Sequence, residues 1–140
     1  MRAQRLAVVQ QDFVRLSLGM FAASIGNYPL TYALAGEAEA PQGKADVVDV
    51  KGPGNFSARL FIFRDSHLPV MLTWQAPGTP QTQGKPVETR IYYSDYRDVD
   101  GLKLPFRLRR AVGADTVEET VFDRFRINAK IDAKKFEVKK

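Results

Sequence analysis

The sequence has no cysteine and a single histidine, His67. The first absence excludes disulfide scaffolds, cysteine-rich zinc sites, iron–sulfur clusters and thiol nucleophiles. It assigns no compartment, because an exported domain of this size can fold without disulfides. The second absence excludes a multi-histidine metal site. No stretch approaches the roughly 18 continuous apolar residues of a membrane-spanning helix. There is no GxSxG, no phosphate-binding P-loop and no GxGxxG. No catalytic residue, metal or cofactor is expected, and the chain is not expected to be an enzyme.

What is present is a domain's worth of ordinary globular composition. The 140 residues are 44% apolar and 26% charged, enough for one core and too few for two. The chain is read as one domain over 1–140, or as a piece of a longer polypeptide. The net charge of +5 comes from 21 Lys and Arg against 16 Asp and Glu. Basic residues cluster only at Arg107, Arg109 and Arg110 and at the terminal Lys134, Lys135, Lys139 and Lys140. Acidic residues such as Glu118, Glu119 and Asp123 are interleaved with them. No nucleic-acid partner is expected, since that would need Arg59, Arg90, Arg107, Arg109, Arg124 and Arg126 to converge on one face beside stacking aromatics.

The first 24 residues read as an amphipathic helix. Leu6, Val9, Phe13, Leu16 and Met20 fall at helical spacing and form one apolar stripe, widened by Val14 and Phe21, the expected core-packing face. Arg5, Asp12 and Arg15 lie away from its centre. Met1-Arg2-Ala3-Gln4-Arg5 resembles the basic start of an export signal, but Gln10, Gln11, Asp12 and Arg15 interrupt any clean apolar run after it. Gly19 weakens the last turn, and Gly26-Asn27-Tyr28-Pro29 ends the segment.

From residue 30 to 128 the pattern is that of an antiparallel meander. Strands are expected over 30–40, around Asp46, Val48 and Val50, and over 57–64, 70–75, 87–96, 104–112 and 117–128. Pro41-Gln42-Gly43, Lys51-Gly52-Pro53-Gly54-Asn55, Gly101 and Gly113-Ala114-Asp115 supply turns. The polar stretch 77–85 reads as a mobile loop. Residues 129–140 read as a C-terminal turn and basic tail. The expected fold is mainly β: a curved antiparallel sheet or half-barrel of about seven strands, with the N-terminal helix packed on it.

Several strands are apolar on both faces. Leu60 and Ile62 point one way, Phe61 and Phe63 the other. Two apolar faces and one helix leave surface for a second layer, a partner chain or an apolar ligand.

The run over 92–110 carries a family resemblance. Tyr92, Tyr93 and Tyr96 close a strand, Asp100-Gly101 makes a turn, and Leu104-Pro105 opens the next strand. Upstream, a strand ends near Asp65 and Leu68-Pro69 leads into another. In order and spacing these stretches resemble the C-terminal part of the outer-membrane lipoprotein-sorting proteins, the LolA/LolB-like carriers. That resemblance implies a half-barrel with an apolar cavity between sheet and helices. It also implies non-catalytic binding of lipid or lipoprotein acyl chains in the periplasm or cell envelope of a bacterium, after export as part of a longer precursor. Phe61, Phe63, Met71, Trp74, Tyr93 and Phe106 are the candidate cavity lining. The alternative is a structural or protein-interaction module that uses its apolar sheet face or edge for assembly. A sheet edge left unpaired would favour a homodimer or strand addition.

Polar clusters have plainer readings. Asp95, Asp98 and Asp100 lack the spacing, glycine and terminal glutamate of a calcium loop, and read as caps of a hairpin turn. His67 sits in a turn with no nucleophile motif nearby. Glu118 and Glu119 are adjacent in a strand and point to opposite faces, so they cannot act as a carboxylate pair.

Overall fold

Alternating β-branched and aromatic residues, cut by Gly, Pro, Asn and Asp, become seven strands in the computed structural model, which describes residues 2–21, 28–41, 43–78, 80–127 and 130. The strands are β1 (Thr31–Ala40), β2 (Gly43–Gly52), β3 (Phe56–Phe63), β4 (Pro69–Ala76), β5 (Val87–Val99), β6 (Leu102–Val112) and β7 (Asp115–Val121). Each pairs antiparallel with the next in chain order, giving one open, curved sheet whose edges are β1 and β7. One helix, α1 (Arg2–Phe21), packs against β3 to β6.

The turns are set by local chemistry. Between β5 and β6 the two central residues, Asp100 and Gly101, have φ of 51° and 88°. This is the primed two-residue hairpin turn whose twist suits the strands it joins. The Asp98 carboxylate accepts a hydrogen bond from the Gly101 amide at 2.9 Å, and Asp95 pairs with Arg97 at 2.8 Å. Of the three aspartates only Asp100 lies in the turn; Asp98, at the end of β5, caps it, and Asp95 lies within β5 at φ 55°. His67 is exposed at φ 60°, and its amide donates to the Phe63 carbonyl at 2.8 Å. The 77–85 loop contains one turn of 3-10 helix, Pro80–Thr82, closed by the Gln83 amide on the Pro80 carbonyl at 3.2 Å.

Alternation along the strands sorts side chains onto two faces. The helix side carries Val48, Val50, Phe56, Ala58, Leu60, Ile62, Leu72, Trp74, Ile91, Tyr93 and Leu108, which join Val14 and Leu18 of α1 in one core. Phe56, Leu60, Leu72, Ile91, Leu18 and Val14 are each almost wholly buried, a gain of about 1.5–3 kcal/mol apiece for the larger ones. Tyr28 closes one end, edge-on to Phe56 at 5.6 Å, with its hydroxyl donating to the Pro53 carbonyl at 3.1 Å.

All seven expected strands are present, and β7 ends at Val121, before the expected 128. The expected tail over 129–140 lies outside the described residues except for Lys130. The helix face needs correction. Leu6, Val9 and Phe13 are exposed, and Leu16 and Met20 are only half-buried. Leu16 and Met20 still pack against the core, but the fully buried side is that of Val14, from the margin of the stripe, with Leu18, Gly19 and, unexpectedly, Arg15. The physical reason is closeness of approach. Gly19 lets the helix backbone settle onto the ring of Tyr93, and that contact turns the Val14–Leu18 side inward. An ideal Cβ on Gly19 would stand 1.8 Å from the Tyr93 hydroxyl oxygen.

Candidate functional site

Residues 2–10 of α1 are exposed throughout. Only the C-terminal half of the helix seats on the sheet, so a gap opens beneath its middle. A cavity of about 530 Å³ lies there, between α1 and the ends of β3 to β6. That is within the usual range for small-molecule sites, about 300–1,000 Å³. Val8, Ala76, Val87 and Val112 form its apolar wall. Gln11, Asp12, Arg15, Thr89 and Arg110 bring polar groups to it, and Trp74 lies among them. On the other side of α1 a smaller hollow of about 160 Å³ is bordered by Leu16, Ile91, Leu108, Arg110 and Phe122. Arg110 borders both spaces.

Arg15 is the unusual residue. It is only 9% exposed. Its guanidinium carbon lies 4.8 Å from the Trp74 ring centre and 4.9 Å from that of Phe56. One terminal nitrogen donates to the Ser57 carbonyl at 3.4 Å, and the nearest carboxylate, Asp12, is 3.8 Å away. Its Nε is buried with no partner among the described residues. Burial lowers the pKa of Arg15, Asp12 and Tyr28 act against that, and Arg110 adds to it. The side chain is charged at neutral pH regardless. Arg110 lies over the same indole, with its guanidinium carbon 5.7 Å from the ring centre. Two arginines therefore pack on Trp74.

The six candidate lining residues do not share one cavity. Trp74, Tyr93 and Phe106 are buried, and Trp74 and Tyr93 belong to the helix-side core. Of the six, only Trp74 borders the large cavity. Tyr93 lies under Gly19, and Phe106 packs edge-on to Phe125 at 5.0 Å and takes the Arg97 guanidinium at 4.7 Å. Phe61, Phe63 and Met71 alternate away from this core and lie on the opposite face, half-buried. There Phe61 is registered between Val47 and Met71, and Met71 between Phe61 and Tyr92, which makes a short apolar row.

The same outer face carries Arg59, Arg90, Arg107 and Arg109. Three of them are paired: Arg59 with Asp49 at 2.8 Å, Arg90 with Glu88 at 2.9 Å, and Arg107 with Glu119. Arg109 lies over the Tyr92 ring at 4.4 Å. These exposed pairs hold Asp49 and Glu88 below the usual carboxylate range through the arginine hydrogen bonds. They also leave the face with little free positive charge. Among the described residues no group of three metal-binding side chains is present.

Comparison with protein-family models, with curated proteins and with solved structures finds no match. The geometry therefore carries the functional argument. Arg15, Arg110 and Gln11 were not singled out as site residues in the sequence. The available signal was Arg15 at positions i+1 and i−3 from Val14 and Leu18, a charge inside what proves to be the buried stripe.

Proposed function

We propose that this chain binds the apolar chain of an amphiphilic ligand, without catalysis, in the cavity between α1 and the sheet. The observation that carries the reading is that cavity of about 530 Å³, with an apolar wall and a few convergent polar groups around Trp74. Burial of alkyl carbons there yields about 0.8 kcal/mol for each CH₂, so a chain of a dozen carbons has ample drive to enter. The resemblance to LolA/LolB-like lipoprotein carriers points the same way and suggests a bacterial cell envelope as the compartment. No helix among the described residues is long and apolar enough to cross a membrane.

Native mass spectrometry of the protein from a bacterial host, followed by denaturing lipid extraction, tests the proposal. A fatty acid, phospholipid or lipopeptide at near-stoichiometric amount is the expected result. A ligand-free protein that also fails to take up added alkyl chains would overturn it.

A second reading rests on the sheet edge. β1 is exposed along nearly its whole length, including Tyr32 at 48% and Leu34 at 73%, and its outer backbone edge is unpaired among the described residues. Such an edge can add a strand from another chain. The register slip between Leu34 and Gly36, and the charges of Glu37 and Glu39, work against that pairing. A ligand-free dimer in the same mass measurement would favour assembly over carriage.

A further inference from the structure

The polar end of the cavity carries more positive than negative charge. Arg15 and Arg110 both border it and both lie over Trp74, whereas Asp12 is the one carboxylate there. Arg110 stands opposite Glu118 in the β6–β7 register but forms no ion pair with it. Arg15 is buried, and among the described residues its Nε has no acceptor and its one ion pair is the 3.8 Å approach of Asp12. Two guanidinium groups held near each other repel, and burying one of them costs free energy unless an anion compensates.

We infer that the ligand of this cavity is a single-chain amphiphile with an anionic head, held between Arg15 and Arg110 while its tail lies along Val8, Ala76, Val87 and Val112. This rests on the reading that the cavity takes an apolar chain. A planar guanidinium offers paired N–H donors that match a carboxylate or a phosphate oxygen pair. The Arg15 Nε and the Arg110 fork, neither with a hydrogen-bond partner among the described residues, supply those donors beside the indole. Thr89 and Gln11 add neutral polar groups at the same end.

Trp74 is the only tryptophan, so its emission reports on the site without a label. The full chain is titrated with laurate and dodecyl phosphate below their micelle concentrations and with 1-dodecanol below its solubility limit. The anionic ligands are expected to bind about 10-fold or more tighter than dodecanol, the worth of one charge-assisted hydrogen bond. Whichever anion binds tighter names the head group. The margin is expected to vanish in Arg110→Gln, whose side chain is partly exposed and whose loss leaves the core intact, and in Arg15→Met, with circular dichroism as the check on folding. Equal binding of all three ligands would overturn the anionic head and leave the apolar-chain reading standing. Binding of none would overturn both. A margin that survives in the folded variants would place the attraction elsewhere and overturn the assignment to these arginines.

Discussion

Gly19→Ala is expected to destabilise the protein by about 1–3 kcal/mol, the usual cost of overpacking a close contact. The sign is the informative part. Glycine inside a helix is worse than alanine by about 1 kcal/mol, so at a helix position with open space around it the same change stabilises. Here the added Cβ would meet the Tyr93 hydroxyl oxygen at 1.8 Å and the ring carbon bearing it at 2.0 Å. Tyr93 is 2% exposed and has no room to swing aside. The helix must then lift, which loosens Val14 and Leu18 and distorts the gap beneath α1. Urea unfolding should show the midpoint falling with the slope unchanged. A midpoint that rises would mean that α1 does not rest on Tyr93.

Tyr93→Phe is expected to act in the opposite direction, raising stability by about 1–3 kcal/mol. The Tyr93 hydroxyl is buried and has no hydrogen-bond partner among the described residues. Its desolvation is therefore uncompensated, and phenylalanine removes that cost while keeping the ring. The variant also changes the response to alkali. Burial pushes the Tyr93 phenol above its ordinary range, with Tyr96 adding to this and Arg110 opposing it, and burial raises Tyr96 too. A phenol raised in the fold ionises first in the unfolded chain, at about pH 10. Its contribution is therefore intact below about pH 10 and is lost as the pH climbs further. Tyr93→Phe removes one of these two groups and should move alkaline unfolding to higher pH. Tyr96 remains, its hydroxyl donating to the Pro69 carbonyl. A variant less stable than the parent would show that the Tyr93 hydroxyl has a partner worth more than its burial costs.

The strand plan was legible because period-two alternation and turn chemistry are local signals. Ser57 to Arg64 and Val70 to Gln75 declare themselves, and Asp100-Gly101 fixes a hairpin without reference to anything distant. That Phe61 and Phe63 oppose Leu60 and Ile62 was legible for the same reason. Which of the two faces meets the helix was not, since both are apolar. Trp74 and Phe61 therefore look equally good as lining until α1 is placed. The helix face was misleading for a related reason. The Leu6–Val9–Phe13–Leu16–Met20 stripe is the more hydrophobic one, yet the tighter approach is made through Gly19, on the side where Val14 and Leu18 stand beside Arg15. A glycine at a contact and an arginine between two aromatic rings are tertiary features, and hydropathy assigns both to the surface. Arg110 was hidden among its neighbours: Arg107 and Arg109 alternate onto the outer face, while Arg110 alone of the three reaches the helix side.

The most direct test of the central claim is where an alkyl chain touches the protein. In a ¹⁵N-labelled sample titrated with 1-dodecanol, the account predicts shifts in the Trp74 indole N–H and in the backbone amides of Gln11, Arg15, Thr89, Arg110 and Val112. Perturbation confined to Val47, Phe61, Phe63, Met71 and Tyr92 would contradict it, because the ligand would then lie on the outer face and the space beneath α1 would have no part in binding.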